Sequence, residues 1–489
     1  MPCPAPFNLA QYVLARAAHT PDKVALAVLS PARAERWSYA RLEETVRRTA
    51  AGLLATGARP GDRVLLRLGN QPAFPVAYLA AIAVGLIPVP TSAALTTPEI
   101  TALMPAIAPR LILAEAGIAL PDPCPCDVIT DLAALAAHPP ADYAMGDPDR
   151  LAYLIFTSGT SGRPRAVAHA HRAIWARRMM WAGWYGLSET DRLMHAGAFN
   201  WTFTLGTGLL DPWAIGATAL IPAPGTSPET LPLLLKRHDA TIFAAAPGIY
   251  RQMLRADLPA MPKLRHGLSA GEKLPEPLRA AWGRATGTAL HEALGLSECS
   301  TFISGSPDRP APTGTLGFAQ PGRRIAVLDE AGTPLPDGQT GTLAIHRDDP
   351  GLMLGYLEGS APHLPLTGDW FATGDQVHRD PDGALHYHGR NDDMLNAGGF
   401  RVSPAEIERA FAPIAGDCAA IAVEIRPDTH IIALAHTGTI AEPTLRQHAE
   451  TRLAGYKQPR LYARLDALPR GGNGKLDRKA LSALLKGPP

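Results

Sequence analysis

The sequence has no excess of charge of either sign and no long hydrophobic run. Its 46 basic and 45 acidic residues leave a formal net charge of +1, so it lacks the positive surface of a nucleic-acid-binding protein. The longest apolar stretch, near Phe74, is interrupted by Pro75 and ends at Pro88 and Pro90, which leaves it short of the ~20 residues of a membrane-spanning helix. A basic start followed by an apolar core, typical of a signal peptide, is also missing. We therefore expect a cytoplasmic protein with no membrane span and no nucleic-acid partner.

Cysteine is scarce as well. Five cysteines, an odd and scattered set, are typical of reduced thiols in a cytosolic protein. Cys124 and Cys126 flank a proline, but no second Cys or His pair follows at zinc spacing, so the pair does not predict a zinc site. Cys299 has no candidate base near it in the sequence, and we expect it to be buried rather than nucleophilic.

Helical and strand-like segments alternate through the first three-quarters of the chain. Leu42, Val46 and Leu53 recur at helical spacing, and an apolar run at residues 63–68 follows as a strand. Short apolar strands separated by helices are typical of an α/β fold with mostly parallel sheets that are covered on both faces. The 489 residues, 46% of them hydrophobic and 19% charged, fit a globular protein of two or more domains.

The pattern of the sequence changes near residue 315. Turn signals such as Asp337-Gly338 and Asp382-Gly383 separate short strands up to residue 389, which predicts a small antiparallel β unit. After Arg390 the remaining residues have strand and helix signals of their own. We therefore predict domains at residues 1–389 and 390–489, with the antiparallel unit at about residues 315–389.

A loop rich in glycine and hydroxyl residues follows a predicted buried strand at residues 151–156. Backbone N–H groups and hydroxyls can converge on an anion in such a turn, and Arg163 and Arg165 add positive charge for phosphate oxygens. The second glycine is not followed by GK[ST], so the loop is not a Walker A loop. Taken alone, it is equally consistent with a flexible surface turn. Its candidate phosphate-binding residues are Thr157, Ser158, Gly159, Thr160, Ser161, Gly162 and Arg165.

This loop resembles the signature loop of the adenylate-forming superfamily, which comprises acyl- and aryl-CoA ligases, adenylation domains of non-ribosomal peptide synthetases, and luciferases. Further segments match the family's motifs in order along nearly the whole chain. The resemblance implies a large N-terminal domain of stacked, mostly parallel α/β sheets plus a small β-barrel, followed by a small mobile α+β C-terminal domain. The family usually has Lys-Gly where this chain has Arg165 and Ala166. Arginine keeps the charge but binds oxyanions as a planar fork, and we expect triphosphate binding to survive.

The resemblance places adenine binding at two segments. Residues 269–275 resemble the segment that lines adenine, where a glycine allows the backbone to approach a flat base. Residues 292–298 resemble the family's Tyr-Gly-x-Thr-Glu motif, with Leu294 in place of the usual aromatic residue that packs on adenine. The residues carried over to this site are Gly271, Glu272, Lys273, Glu292, Ala293 and Leu294.

Phosphate, metal and ribose contacts are carried over in the same way. Ser297 matches a contact to the α-phosphate, and Glu298 matches a ligand of Mg²⁺, a hard cation that prefers carboxylate oxygens. The same pair also fits the start of a helix. Asp375 matches a carboxylate that accepts hydrogen bonds from both ribose hydroxyls, although Thr-Gly-Asp by itself is a common turn. Arg390 matches a ribose and phosphate contact.

The last group of motifs concerns a rotation of the small domain between two half-reactions. The resemblance puts the hinge at Asp392. The loop with Gly398, Gly399 and Arg401 resembles the segment that faces the active site during thioester formation, where glycine lets a pantetheine arm pass close to the backbone. Lys475 matches the adenylation lysine. Without the family pattern, the loop would be a plain hairpin and Lys475 a solvated surface charge.

The implied activity has two steps. A substrate carboxylate attacks the α-phosphorus of ATP and releases pyrophosphate, and the thiol of coenzyme A then displaces AMP from the acyl-adenylate. The implied cofactors are ATP/AMP, Mg²⁺ and coenzyme A, and a monomer or homodimer is expected. The implied catalytic residues would stabilise negative charge on the phosphate oxygens; they are Lys475, Glu298, Thr157 and Arg165.

The candidate substrate pocket contains Phe199, Asn200, Trp201 and Gly295. Amino-acid-activating members usually carry Asp where this chain has Asn200, so we expect no α-amino acid. Gly295 leaves open a pocket that acetate-type members close with an aromatic residue. The chain looks most like benzoate-type acid–CoA ligases, which predicts an aryl or short-to-medium-chain acid. Two alternatives stay open: a stand-alone enzyme that loads a carrier protein's phosphopantetheine, and a non-catalytic AMP-binding regulatory relative. A luciferase-like oxidation is neither predicted nor excluded.

Overall fold

A nine-stranded sheet forms the centre of the N-terminal part of the chain. The computed structural model describes residues 2–157, 164–359, 361–390, 394–397, 400–426, 429–469 and 476–485. Six adjacent strands of the central sheet run parallel, and antiparallel strands flank them at both edges. In spatial order its strands are Phe318–Ala319, Ser300–Ser304, Ala289–Leu296, His266–Ala270, Ile242–Ala245, Arg192–His195, Thr218–Pro222, Val24–Leu29 and Ala34–Ser38.

Three further sheets have four strands each, and two of them lie in the part of the chain before residue 364. One is entirely parallel, with strands Ile87–Pro90, Arg63–Arg67, Leu111–Ala114 and Asp127–Ile129. The other is antiparallel, with strands Ala361–His363, Gly355–Glu358, Arg165–Ala170 and Leu151–Thr157. The strand predicted at residues 151–156 therefore exists, but it does not join the parallel alternation. The next strand begins at Arg165, too soon for a parallel crossover, and the two strands pair antiparallel.

The antiparallel unit predicted near residue 315 contains a four-stranded antiparallel sheet of strands Ile325–Leu328, Gly341–His346, Trp370–Arg379 and Leu385–Arg390. The C-terminal segment has its own hairpin and three-stranded sheet, with strands Leu395–Ala397, Phe400–Val402, Cys418–Arg426, Thr429–His436 and Leu461–Arg464. Helices Pro404–Ala415 and Glu442–Arg452 pack on one face of this sheet, and helix Arg478–Leu485 packs on the other.

Helix boundaries follow from capping residues and apolar spacing. In helix Tyr39–Ala55, the Ser38 hydroxyl accepts a hydrogen bond from Arg41 N, and the predicted core residues Leu42, Val46 and Leu53 are buried. No helix of the described residues is long and apolar enough to cross a membrane. The other α-helices are Leu9–Leu14, Ala73–Ala83, Thr97–Ile107, Leu132–Leu135, Ala173–Ala176, Thr202–Leu205, Asp211–Ile215, Leu231–Arg237, Pro247–Met253 and Glu276–Thr286, besides the three C-terminal ones.

Candidate active site

A cavity of about 570 Å³ lies where the N-terminal sheets meet the C-terminal segment. Its wall is formed by the ends of strands and by the turns that follow them, which is where α/β proteins place ligands. The sequence-predicted residues that line it are Thr157, Arg165, Asn200, Trp201, Gly271, Gly295, Ser297 and Glu298.

The predicted phosphate loop connects the two strands of a hairpin at this wall. Thr157 ends one strand, Arg165 begins the next, and the two residues are register partners. The Arg165 guanidinium carbon lies 3.8 Å from the ring centroid of Tyr356, which is within cation–π range. The predicted loop residues Ser158, Gly159, Thr160, Ser161 and Gly162 lie outside the described residues.

Glu298 lies in a turn between strands Ala289–Leu296 and Ser300–Ser304, so the helix start that Ser297 and Glu298 also fitted is not observed. The Tyr356 hydroxyl donates a hydrogen bond to Glu298 Oε1 at 2.8 Å. Tyr356 thus contacts both Arg165 and Glu298, a role that the sequence did not predict because strand pairing brings this residue to the site. A buried carboxylate on the cavity wall has the hard oxygen donors that fit Mg²⁺.

Some residues of the two predicted adenine segments line the cavity, and others lie behind the residues that line it. Gly271 lines the cavity with a φ of 98°, a left-handed conformation that favours glycine. Glu292 is buried behind the wall, where its carboxylate accepts hydrogen bonds from Leu274 N at 2.8 Å and Arg279 Nη2 at 3.1 Å. It therefore holds the turn after Gly271 in place. Outside the wall also lie Glu272, Lys273, Ala293 and Leu294.

Glu292 gives a pH prediction. Burial raises the pKa of Glu292 to about 7, although the Leu274 N–H group and Arg279 both act to lower this pKa. Because the folded pKa lies above the unfolded value of 4.5, protonated Glu292 favours the fold at low pH, and that stability is lost as pH rises through about 7. The glutamine of Glu292→Gln cannot ionise. Between about pH 5 and about pH 8, we therefore expect the free energy of unfolding to fall less for this variant than for the wild type. The difference between the two changes is on the order of 3 kcal/mol. Urea unfolding at each pH measures the difference.

The matched control is Glu276→Gln. Glu276 pairs with the same Arg279, but its side chain is 51% exposed, and its charge is the smallest of the causes that act on the pKa of Glu292. Its removal should therefore leave most of the pH dependence of the wild type in place. Parallel pH profiles for wild type and Glu292→Gln would contradict the prediction.

The two predicted ribose contacts lie opposite each other on neighbouring strands. Asp375 and Arg390 are register partners in the antiparallel sheet, and Asp375 is buried next to residues 371–374, of which all line the cavity. The Thr-Gly-Asp segment is therefore part of a strand and not an isolated turn. The side chains of Arg390 and Arg401 are outside the described part of the structure. So are the whole residues Asp392, Gly398, Gly399 and Lys475.

The predicted substrate residues do not all face the cavity. Trp201 and Phe203 line it with their rings edge to face at 5.2 Å, and Asn200 lies beside them. Phe199 is instead buried in the core, where its ring packs on Phe74 at 5.7 Å. The aromatic wall therefore consists of Trp201 and Phe203.

The floor of this end is formed by Gly295, near the end of strand Ala289–Leu296, and by the turn that follows that strand. A Cβ atom at Gly295 would lie 2.8 Å from Thr301 Cγ2 and 3.0 Å from the Ser300 carbonyl oxygen, so a side chain here would displace the turn. Ser300 has a φ of 64°, a strained conformation of the kind that clusters at functional sites. Its hydroxyl accepts a hydrogen bond from the buried Arg177. Ser300 and Arg177 were not predicted.

Cys299 is buried, as expected from the sequence. Its thiol is 1% exposed and donates to the Ser300 carbonyl oxygen at 3.5 Å. Burial raises the pKa of this thiol far above its ordinary range, so it stays protonated and is a poor nucleophile.

The C-terminal segment contributes a buried ion cluster to the cavity wall. Lys457 Nζ donates to Glu99 Oε1 at 2.8 Å and to Glu406 Oε1 at 2.6 Å. Burial lowers the pKa of Lys457, but Tyr456 and the two carboxylates outweigh it and raise the pKa above its usual value. Glu99 also accepts a hydrogen bond from Thr96 N in a capping box, a sequence signal for a helix start but not for this partner.

Known proteins resemble this chain over most of its length. The profile of the family described as AMP-binding enzyme matches residues 13–357. A 3-hydroxybenzoate–CoA ligase from Aromatoleum sp. (strain CIB) is 30% identical over 493 residues, covering 92% of each chain. The crystal structure of a benzoate–CoA ligase from Burkholderia xenovorans LB400 has 27% identity and a TM-score of 0.72, covering 97% of this chain and 100% of its own.

A second solved structure also spans nearly the whole chain. It is an anthranilate–CoA ligase in complex with anthranoyl-AMP, with 25% identity and a TM-score of 0.72, covering 99% of this chain and 98% of its own. The resemblance to adenylate-forming enzymes is confirmed by these matches. The chain belongs to the family of AMP-binding enzymes.

Proposed function

We propose that the protein is an ATP-dependent acid–CoA ligase that acts on an aromatic carboxylic acid. The observation that carries this proposal is a single cavity with three kinds of wall. Thr157, Arg165 and Glu298 form the side predicted for phosphates, Trp201 and Phe203 form an aromatic end, and the C-terminal segment closes the third side. Adenylation followed by thioester formation requires these three surroundings to meet at one acyl carbon.

In the first step, a substrate carboxylate oxygen attacks the α-phosphorus of ATP. The bond from that phosphorus to the bridging oxygen breaks, and pyrophosphate leaves. Arg165 and Lys475 would stabilise the negative charge that spreads over the phosphate oxygens. Glu298 would hold a Mg²⁺ ion, which when bound neutralises phosphate charge. Tyr356 orients Glu298 through the hydrogen bond to Oε1.

In the second step, the sulfur of coenzyme A attacks the acyl carbon, the bond to AMP breaks, and the thiol proton is lost to solvent. Glu406 and Lys457 of the C-terminal segment line the cavity. Leu476, the chain neighbour of Lys475, packs on the opposite face of the C-terminal sheet. We propose that this is the arrangement for thioester formation, and that rotation of residues 390–489 about Asp392 brings Lys475 into use for adenylation.

The cavity's acyl end supports benzoate or a hydroxy-substituted benzoate as the acid. Trp201 and Phe203 offer flat apolar surfaces that match an aromatic ring. The hydroxyl of Ser300, fixed by Arg177, is a polar group at the same wall and can pair with a ring hydroxyl. Such a pairing would favour an acid with a ring hydroxyl, because a site built to hydrogen-bond a substrate hydroxyl discriminates against the analogue that lacks it.

Gly295→Ala should impair this end of the cavity. The new Cβ would collide with Thr301 and the Ser300 carbonyl, so we expect kcat/KM for aryl acids to fall by about tenfold or more, with a stability loss of about 1–3 kcal/mol. Steady-state kinetics with benzoate and 3-hydroxybenzoate measure the effect. The matched control is Gly283→Ala, which should behave as wild type, because outside its own helix the new Cβ would meet only Thr288 O, at 3.8 Å.

Mass-spectrometric detection of acyl-CoA in a mixture of ATP, Mg²⁺, coenzyme A and a pool of aryl and aliphatic acids tests the proposed function. A thioester of an aromatic acid would support the proposal and name the substrate. An acyl-adenylate without thioester would point to a carrier-protein acceptor. Bound nucleotide without any product would favour the regulatory alternative and overturn the proposal.

A further inference from the structure

Four side chains of metal-ligand type share one face of the hairpin that also carries Asp375 and Arg390, but none of the four lines the cavity. His378 and His386 are register partners on strands Trp370–Arg379 and Leu385–Arg390. Asp380 and His388 follow them by two residues, and a period of two keeps side chains on one face of a strand. Leu385, which directly precedes His386, is buried on the other face.

The atoms of this histidine cluster converge. His386 Nε2 lies 2.8 Å from Asp380 Oδ2, and His378 Nε2 lies 3.4 Å from Asp380 Oδ1. The two imidazole rings stack at 4.4 Å with an interplanar angle of 5°. One ligand atom from each of the three residues lies within 4.8 Å of the others. Tetrahedral ligands at ~2.1 Å from an ion are about 3.4 Å apart, so this spacing suits a single small ion.

His388 supplies the support that a ligating histidine requires. Its Nε2 lies 2.6 Å from His378 Nδ1, the ring nitrogen that faces away from Asp380. A metal-bound histidine usually places its other ring nitrogen against a hydrogen-bond partner, which fixes the ring and the tautomer. The side chains of His378, Asp380 and His386 are 24–38% exposed, which leaves room for water as a further ligand.

We propose that this cluster is a binding site for a divalent transition-metal ion, Zn²⁺ in the first place, with His378, Asp380 and His386 as ligands and His388 as the positioning residue. Imidazole nitrogen suits zinc, cobalt, nickel and copper, whereas Mg²⁺ prefers oxygen. The site is therefore separate in place and in chemistry from the carboxylate of Glu298. An ion bound here would cross-link the two strands of the hairpin.

Calorimetric titration of the metal-free, full-length protein with Zn²⁺, in the absence of ATP and Mg²⁺, tests the proposal. We expect about one equivalent to bind per chain and the melting temperature to rise with Zn²⁺ concentration. Co²⁺ is the spectroscopic probe: nitrogen and oxygen ligands give visible bands without the thiolate charge-transfer absorption that cysteines would add.

The double variant His378→Gln/His386→Gln should weaken Zn²⁺ binding by well over about tenfold, since even the partners of metal ligands account for 10–100-fold. His363→Gln, which removes an exposed histidine elsewhere, and Cys124→Ser/Cys126→Ser, which removes the sequence's other ligand pair, should both retain the site. Failure to bind an equivalent of Zn²⁺, or binding that survives the histidine variant or vanishes with the cysteine variant, would overturn the proposal. Ligase activity without Zn²⁺ should be equal in all variants, so the outcome is independent of the proposed function.

Discussion

Glu298→Gln is expected to slow acyl-adenylate formation by about 10²–10³-fold, the range for removing one preorganised charge-stabilising group from an active site. The amide keeps the size of the side chain and can still accept the hydrogen bond from Tyr356, but it loses the negative charge that would hold Mg²⁺ against the phosphates. Acid-dependent release of pyrophosphate measures the rate. The Mg²⁺ concentration that gives half-maximal rate should rise in the same variant.

Tyr356→Phe is the matched control. It deletes the 2.8 Å hydrogen bond to Glu298 Oε1 while keeping the carboxylate and the ring beneath Arg165. A hydrogen bond to a charged group contributes about 1.5–3 kcal/mol, so we expect a loss of about tenfold to hundredfold, smaller than that of Glu298→Gln. If Glu298→Gln kept the wild-type rate and Mg²⁺ dependence, Glu298 would not be the metal ligand.

The features that the sequence predicted directly depend on a few consecutive residues. An apolar run followed by glycine and hydroxyl residues predicted a strand and a loop, and the structure places Thr157 and Arg165 at the two ends of that loop. Gly271 was carried over from the family resemblance, and its φ of 98° gives a physical reason for glycine at this position. The functional roles of both segments came from the resemblance, because each segment taken alone is also an ordinary loop.

Side chains that reach the cavity through long-range pairing were not predicted. Tyr356 contacts Glu298 because strand Gly355–Glu358 pairs with strand Arg165–Ala170, and nothing in its own segment signals that role. Phe199 and Trp201 were both assigned to the substrate pocket, but only Trp201 is on the cavity wall. Both residues lie in the irregular segment after strand Arg192–His195, where side chains follow no regular period.

The direction of a strand was likewise beyond the local pattern. Residues 151–157 have the apolar composition of a buried parallel strand, but their pairing with Arg165–Ala170 is antiparallel. Apolar composition reports burial on both faces, which a covered antiparallel sheet also provides. Connection length carries the missing information, because seven residues can close a hairpin but cannot hold a crossover helix.

The second large effect is expected at the ion cluster between the two parts of the chain. Lys457→Met would leave the carboxylates of Glu99 and Glu406 facing each other with 9% and 14% exposure. Removing one partner of a buried ion pair typically costs about 3–5 kcal/mol. Here the loss destabilises the arrangement of the C-terminal segment in which Lys457 contacts Glu99 and Glu406. We therefore expect thioester formation from a supplied acyl-adenylate to slow by about a hundredfold or more, with a smaller change in adenylation.

Three variants make this expectation specific. Arg446→Met removes an exposed ion pair with Glu442 on the same C-terminal segment, worth about 0–1 kcal/mol, and should change neither half-reaction. Lys475→Ala should show the opposite split, losing adenylation while keeping thioester formation. The triple variant Glu99→Gln/Glu406→Gln/Lys457→Met removes all three charges and should recover much of the lost rate, because a neutral cluster has no buried charge without a partner.

Single-turnover kinetics of the two half-reactions distinguish these outcomes. Equal slowing of both steps by Lys457→Met would indicate a general loss of folding, which urea unfolding would detect. No slowing of either step would mean that the cluster of Lys457, Glu99 and Glu406 does not stabilise the arrangement for thioester formation. Selective slowing of the thioester step, with recovery in the triple variant, would show that a charge contact formed between distant parts of the sequence sets the balance between the two arrangements.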